Sequence, residues 1–180
     1  ASKDPHYWFD TKLVQFIVGD LAQQLISAYP ESKNQVQSAT LKYQQEILTT
    51  SDSVQKIIEG IPVEQRLVIT THDALSYFAR TFGMQVRTLQ GASTVSEFGL
   101  REITELVDFI CEHKVPAIFL ENIISPQAME SVQHGCQDKG FNVVLGPELL
   151  SDSLGPDSDQ DTYLEMLLFN ATLLKTYLAR

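Results

Sequence analysis

Four side chains in this sequence have the types and placement to build one site: His6, His72, Asp152 and Glu121. Imidazole and carboxylate together suit borderline divalent ions such as Zn, Mn and Fe, while the lack of neighbouring cysteines disfavours Cu(I) or a structural zinc knuckle. The four stand far apart in the chain, so no single helix can present them and separate loops must converge. Each also has an ordinary reading. His72 could be a solvated loop histidine, and the carboxylates could be helix caps or solvated charges. The aromatics of Asp4-Pro5-His6-Tyr7-Trp8-Phe9-Asp10 are most simply core or interface residues, although His6, after a rigid proline, could equally be a fixed ligand. His113 and His134 fall on amphipathic helices, belong to no His-x-x-x-His pair and are read as exposed or helix-terminal side chains.

The elements that must position these residues follow from periodicity. Short apolar runs at 67–70, 85–89, 117–120 and 142–145 read as strands, interleaved with helices over about 74–82, 95–113, 126–139 and 162–179. Gly83 and Gly140 stand as helix stops. Strands alternating with helices imply an α/β fold with a four-stranded parallel sheet. Ligands gather at the carboxyl ends of such strands. His72 follows the first strand, with Asp73 placed to cap the next helix; Glu121 follows the third. Asp152 lies in the loop after the fourth, within a Ser, Asp, Gly and Pro-rich stretch at 151–160.

Ahead of this domain, Asp10 caps an apolar-striped helix over about 11–29 that stops at Pro30. The polar stretch 31–60 carries a thin apolar stripe and reads as a long helix bridging two bodies. The first helix has no core of its own, so a body that it packs against is expected outside this sequence.

Composition narrows the partners. Against 13 Lys and Arg stand 23 Asp and Glu, a net charge of -10, which repels nucleic acid and anionic membranes and favours a cationic ligand. No apolar run is long enough to span a bilayer, so no direct membrane insertion by this segment is expected. The opening Ala1-Ser2-Lys3-Asp4-Pro5 has no apolar signal core, and any export signal is expected to lie outside it. Two cysteines, Cys111 and Cys136, are too few for a disulfide scaffold; their pairing in an oxidising compartment stays open. Phosphate-binding Gly-Lys loops, dinucleotide-binding Gly-x-Gly-x-x-Gly turns and Gly-x-Ser-x-Gly elbows are absent from the sequence.

Five segments in order carry a more specific signal. They are Asp4-Pro5-His6-Tyr7-Trp8-Phe9-Asp10, Thr71-His72-Asp73-Ala74-Leu75-Ser76-Tyr77-Phe78, Leu89-Gln90-Gly91-Ala92-Ser93-Thr94, Ala117-Ile118-Phe119-Leu120-Glu121 and Leu150-Ser151-Asp152-Ser153-Leu154-Gly155. Together they resemble the metal-specific solute-binding proteins of ABC importers for manganese, zinc and iron, over essentially the whole chain.

The resemblance implies two α/β lobes joined by a long backbone helix, with the metal in the cleft between them. On that pattern residues 1–30 are the last helix of an otherwise absent N-terminal lobe, 31–60 the linking helix and 61–180 the C-terminal metal-binding lobe. His6, His72 and Asp152 match three of the family's four ligands, and the fourth, an N-lobe histidine, has no counterpart. Glu121 matches a glutamate that supports the site and orients an imidazole. Thr11 departs from a common proline, and Asp161 and Glu165 replace glycines often found beside the Thr-Tyr pair of the last helix.

The implied function is the periplasmic or extracytoplasmic receptor of an ABC importer, not an enzyme. It captures Zn, Mn or Fe and delivers the ion to a membrane permease, with a lipid anchor on the longer protein left open. With one ligand missing, this chain alone is expected to bind metal weakly or to borrow a ligand from another chain. A metal-dependent hydrolase and an adhesion or interaction module are the alternatives.

Overall fold

The computed structural model describes residues 4–89, 99–121 and 126–180. Asp10 begins the first helix: its carboxylate accepts from the backbone N–H groups of Lys12 and Leu13 at 3.0 and 3.3 Å, satisfying donors that a helix start otherwise orphans. From this cap α1 runs over Thr11–Ala28. Pro30 interrupts it, and α2 follows over Lys33–Glu59, uninterrupted by Gly or Pro until Gly60 and Pro62. α1 buries only Thr11 and Ala22, leaving Leu13, Phe16, Ile17, Leu21, Leu25 and Tyr29 exposed. Thr11, the departure from the family's proline, is buried with its hydroxyl 3.0 Å from that of Ser51 on α2.

The remaining order is β1 (Leu67–Thr70), α3 (Ser76–Phe82), β2 (Gln85–Thr88), α4 (Leu100–His113), β3 (Ala117–Glu121), α5 (Gln127–Asp138), β4 (Val144–Leu149) and α6 (Tyr163–Leu178). Strand residues point alternately to two faces. Val68, Ala117 and Phe119 enter one core with Phe9, Val54, Ile58 and the apolar faces of α3 and α6. Ile69 and Ile118 enter a second core with Leu106, Ile110, Met129 and Val132 of α4 and α5. α2, α3 and α6 thus cover one side of the strands, and α4 and α5 the other.

The expected α/β class with parallel strands holds. Hydrogen bonding among the described residues divides the four strands into two parallel pairs, β1 with β2 and β3 with β4, rather than one continuous ladder. Just past the carboxyl end of β1, the N–H groups of Thr71 and His72 both donate to Oε2 of Glu121, the last residue of β3.

Several boundaries differ from the sequence reading. β4 extends to Leu149, because Gly146 and Pro147 are absorbed by a bulge: Phe119 opposes Gly146 whereas Leu120 opposes Glu148. Proline lacks an N–H, and an irregularity on an outer strand is where a sheet accommodates it. Asp73 does not cap α3; it accepts from the Ser76 hydroxyl at 2.6 Å, and Leu75 is the residue preceding the helix. Gly83 and Gly140 do act as stops, with φ of 72° and 79° in the left-handed region that favours glycine. Residues 95–98 of the expected fourth helix and Gln90–Thr94 of the third resembling segment lie outside the described residues.

Candidate metal centre

Phe9 fixes the segment that carries His6. It is fully buried and meets Phe78 of α3 edge to face, the centroids 6.0 Å apart. Such burial is worth roughly 2–3 kcal/mol. Two further bonds join this segment to distant chain: Trp8 Nε1 donates to the Ser151 carbonyl at 3.0 Å, and the Tyr163 hydroxyl of α6 donates to the Trp8 carbonyl at 2.8 Å. Burial pushes the Tyr163 phenol well above its ordinary value, so it remains a donor.

The loop after β4 is fixed by α6 as well. Asn170 is fully buried; its carbonyl oxygen accepts from Leu150 N–H at 2.9 Å and its amide donates to the Leu150 carbonyl at 2.8 Å. This two-way bond satisfies the backbone just where the chain leaves β4, two residues before Asp152. Thr162 and Glu165 form the start of α6, the Glu165 N–H donating to the threonine hydroxyl and that hydroxyl donating to the Glu165 carboxylate at 2.7 Å. The glutamate that departs from the family's glycine therefore serves as a capping residue.

These constraints bring three of the sequence-derived residues together. Donor atoms of His6, His72 and Asp152 all lie within 4.8 Å of one another. Asp152 Oδ1 is 3.3 Å from His6 Nε2, and its Oδ2 is 3.2 Å from His72 Nε2. Adjacent donors around a tetrahedral ion with bonds of about 2.0–2.1 Å are separated by roughly 3.3 Å, close to the two imidazole–carboxylate separations, and the donor set suits a Zn-like ion. Both imidazoles are buried, 3% and 1% exposed, whereas Asp152 reaches solvent.

Glu121 stands behind His72 rather than in front of it. Its Oε1 is 2.8 Å from Nδ1, while Oε2 accepts the two backbone N–H groups at 3.0 and 2.9 Å. Oε1 and Nδ1 are buried together at ion-pair distance. Burial by itself would lower the His72 pKa; the bond and charge of Glu121, with the charge of Asp152, outweigh it and raise the pKa above 6.5.

Asp4 holds the His6 ring and backbone as Glu121 holds those of His72, a role the sequence reading did not assign. Its Oδ1 accepts from the His6 backbone N–H at 2.9 Å and stands 2.7 Å from Nδ1. The signal was available: an aspartate commonly bonds the backbone two residues on. With a carboxylate at each Nδ1, both Nε2 atoms are presented to Asp152 and remain available to a cation. His113 and His134 are exposed, His113 stacking on Phe109 with centroids 4.0 Å apart, and neither approaches this group.

The chain is 35% identical over 181 residues to the zinc-binding protein TroA of Treponema pallidum, covering 100% of this chain and 59% of TroA. It is 33% identical over 168 residues to the manganese-binding lipoprotein MntA of Bacillus subtilis, covering 93% of this chain and 55% of MntA. The chain thus spans little more than half the length of these relatives. The solved structure of periplasmic TroA superposes with a TM-score of 0.94, covering 100% of this chain and 65% of that one. Fe(III)-bound YtgA of Chlamydia trachomatis, at 21% identity and a TM-score of 0.88, shares the fold. Residues 1–177 match the family described as ZnuA, zinc-uptake complex component A, periplasmic, and the chain belongs to that family.

Proposed function

We propose that this chain is the metal-binding part of an extracytoplasmic receptor that captures Zn, Mn or Fe for an ABC importer and delivers it to the membrane permease. The observation that carries the reading is the convergence of His6 Nε2 and His72 Nε2 on the two oxygens of Asp152 at 3.3 and 3.2 Å. Neutral imidazoles and an ionised carboxylate would hold the cation as cargo, and the open side at Asp152 would admit a fourth donor from another lobe. The exposed apolar face of α1 is where that lobe would pack, with α2 as the link between lobes. No described helix is long and apolar enough to cross a membrane.

Two carboxylates beside the centre are committed to holding histidines: Glu121 to His72 and two backbone N–H groups, Asp4 to His6. Held in this way, the two carboxylates orient the imidazoles for capture of a cation, the role the receptor reading requires. The donor set admits all three metals, and the general affinity order favours Zn over Mn or Fe. Elemental analysis of the full-length protein purified from its source tests the reading; a preparation free of transition metal that also fails to take up added Zn or Mn would refute it.

A further inference from the structure

Away from the metal centre, the core beneath α4 and α5 holds two cysteines that the proposed function does not use. Cys111 lies in the last turn of α4 and Cys136 near the end of α5, Cys136 fully buried and Cys111 partly exposed. The helices approach closely because residue 135 is glycine: a Cβ there would stand 2.8 Å from Val107 Cγ2. An ion pair between Lys139 and Asp108 ties the same ends. In the same region Cys111 packs, partly buried, against the apolar cluster that contains Cys136, and the two thiols are near enough to act on each other's charge. Disulfides close where Cα atoms are about 4.4–6.8 Å apart, a separation that packed helices reach where a small residue lets them approach.

We propose that Cys111 and Cys136 are a disulfide-forming pair that staples α4 to α5. The oxidant is itself a disulfide, small-molecule or protein-borne, and only for its supply does the inference rest on the extracytoplasmic location proposed above. The Cys111 sulfur, as thiolate, attacks one oxidant sulfur, forming a mixed disulfide and expelling one thiolate. The Cys136 sulfur then attacks Cys111, closing the intramolecular bond and releasing the second thiol. The pair loses two protons and two electrons, and the oxidant disulfide becomes two thiols. Burial, reinforced by the neighbouring Cys111, pushes the Cys136 thiol up to about 12, which makes the accessible Cys111 the sulfur that reacts first.

The test is a peptide map of the full-length protein after equilibration in an oxidising glutathione buffer, with acid quenching, alkylation of free thiols and tryptic cleavage. Cleavage at Arg101, Lys114 and Lys139 places the cysteines on peptides 102–114 and 115–139. The proposal expects these two peptides joined, two hydrogens lighter than their sum and separating on reduction, and a Tm higher by about 5–10 °C in the oxidised protein. Cys136→Ser should trap glutathione on Cys111 and abolish the Tm difference. Both peptides recovered as alkylated free thiols, or joined only between two molecules, would overturn it. The wild-type map needs neither metal nor a variant, so it stands apart from the outcome at the metal centre.

Discussion

Glu121 holds His72 at two points, meeting the ring Nδ1 at 2.8 Å through one oxygen and the residue's own backbone N–H at 2.9 Å through the other. The imidazole is thereby fixed in orientation before any cation arrives, and its Nε2 is aimed at Asp152. Glu121→Gln keeps the shape and removes the charge. Chelator-competition titration of the full-length protein should show metal affinity lowered about tenfold to hundredfold, with an unchanged circular dichroism spectrum.

The raised His72 pKa sets a pH dependence. A proton and a cation compete for Nε2, so affinity should fall as pH is lowered, beginning above the ordinary histidine value of 6.5. The ion-free protein behaves in the opposite sense: protonated His72, paired with Glu121 and Asp152, adds stability that is fully present below the unfolded value and lost as pH rises through the folded one. Calorimetric titrations with Zn between pH 8 and pH 5.5, beside melting curves of the ion-free protein, would show both trends. A flat affinity profile would contradict the role given to His72.

Asn170 should matter to the centre without touching it. Asn170→Leu removes both bonds to Leu150 and leaves a buried N–H and C=O unsatisfied, costing about 2–3 kcal/mol. Urea denaturation should report that loss, and metal affinity should fall because the Asp152 loop is no longer anchored.

Gly146 is expected to resist substitution. A Cβ at this position would lie 2.8 Å from Phe119 Cδ1 and 2.9 Å from Cε1, and Phe119 is fully buried with no room to swing aside. Gly146→Ala should destabilise by about 1–3 kcal/mol, read from the same denaturation experiment.

What could be read in advance depended on how local its cause was. Asp10, Gly83 and Gly140 act through their own turn, and their roles as cap and stops were legible from residue type. His6, His72 and Asp152 were each weak alone and became specific only as matches to ordered segments. The reach of β4 was missed because Gly146-Pro147 looks like a strand end until a neighbouring strand supplies the bulge. The bonds from Trp8 to Ser151 and from Tyr163 to Trp8 join residues 143 and 155 positions apart, so only the folded chain could reveal them. The bonds from the Thr71 and His72 N–H groups to Glu121 have the same character, since they join residues 50 and 49 positions apart.

The central claim, that His6, His72 and Asp152 hold the cation, is tested most directly by titrating Zn and Mn into the full-length protein and into its His72→Ala and Asp152→Ala variants. The account predicts one ion per molecule in the wild type and a loss of at least about a hundredfold in affinity for each folded variant. Unchanged affinity and stoichiometry in both variants would place the metal elsewhere and leave these three residues with a structural role alone.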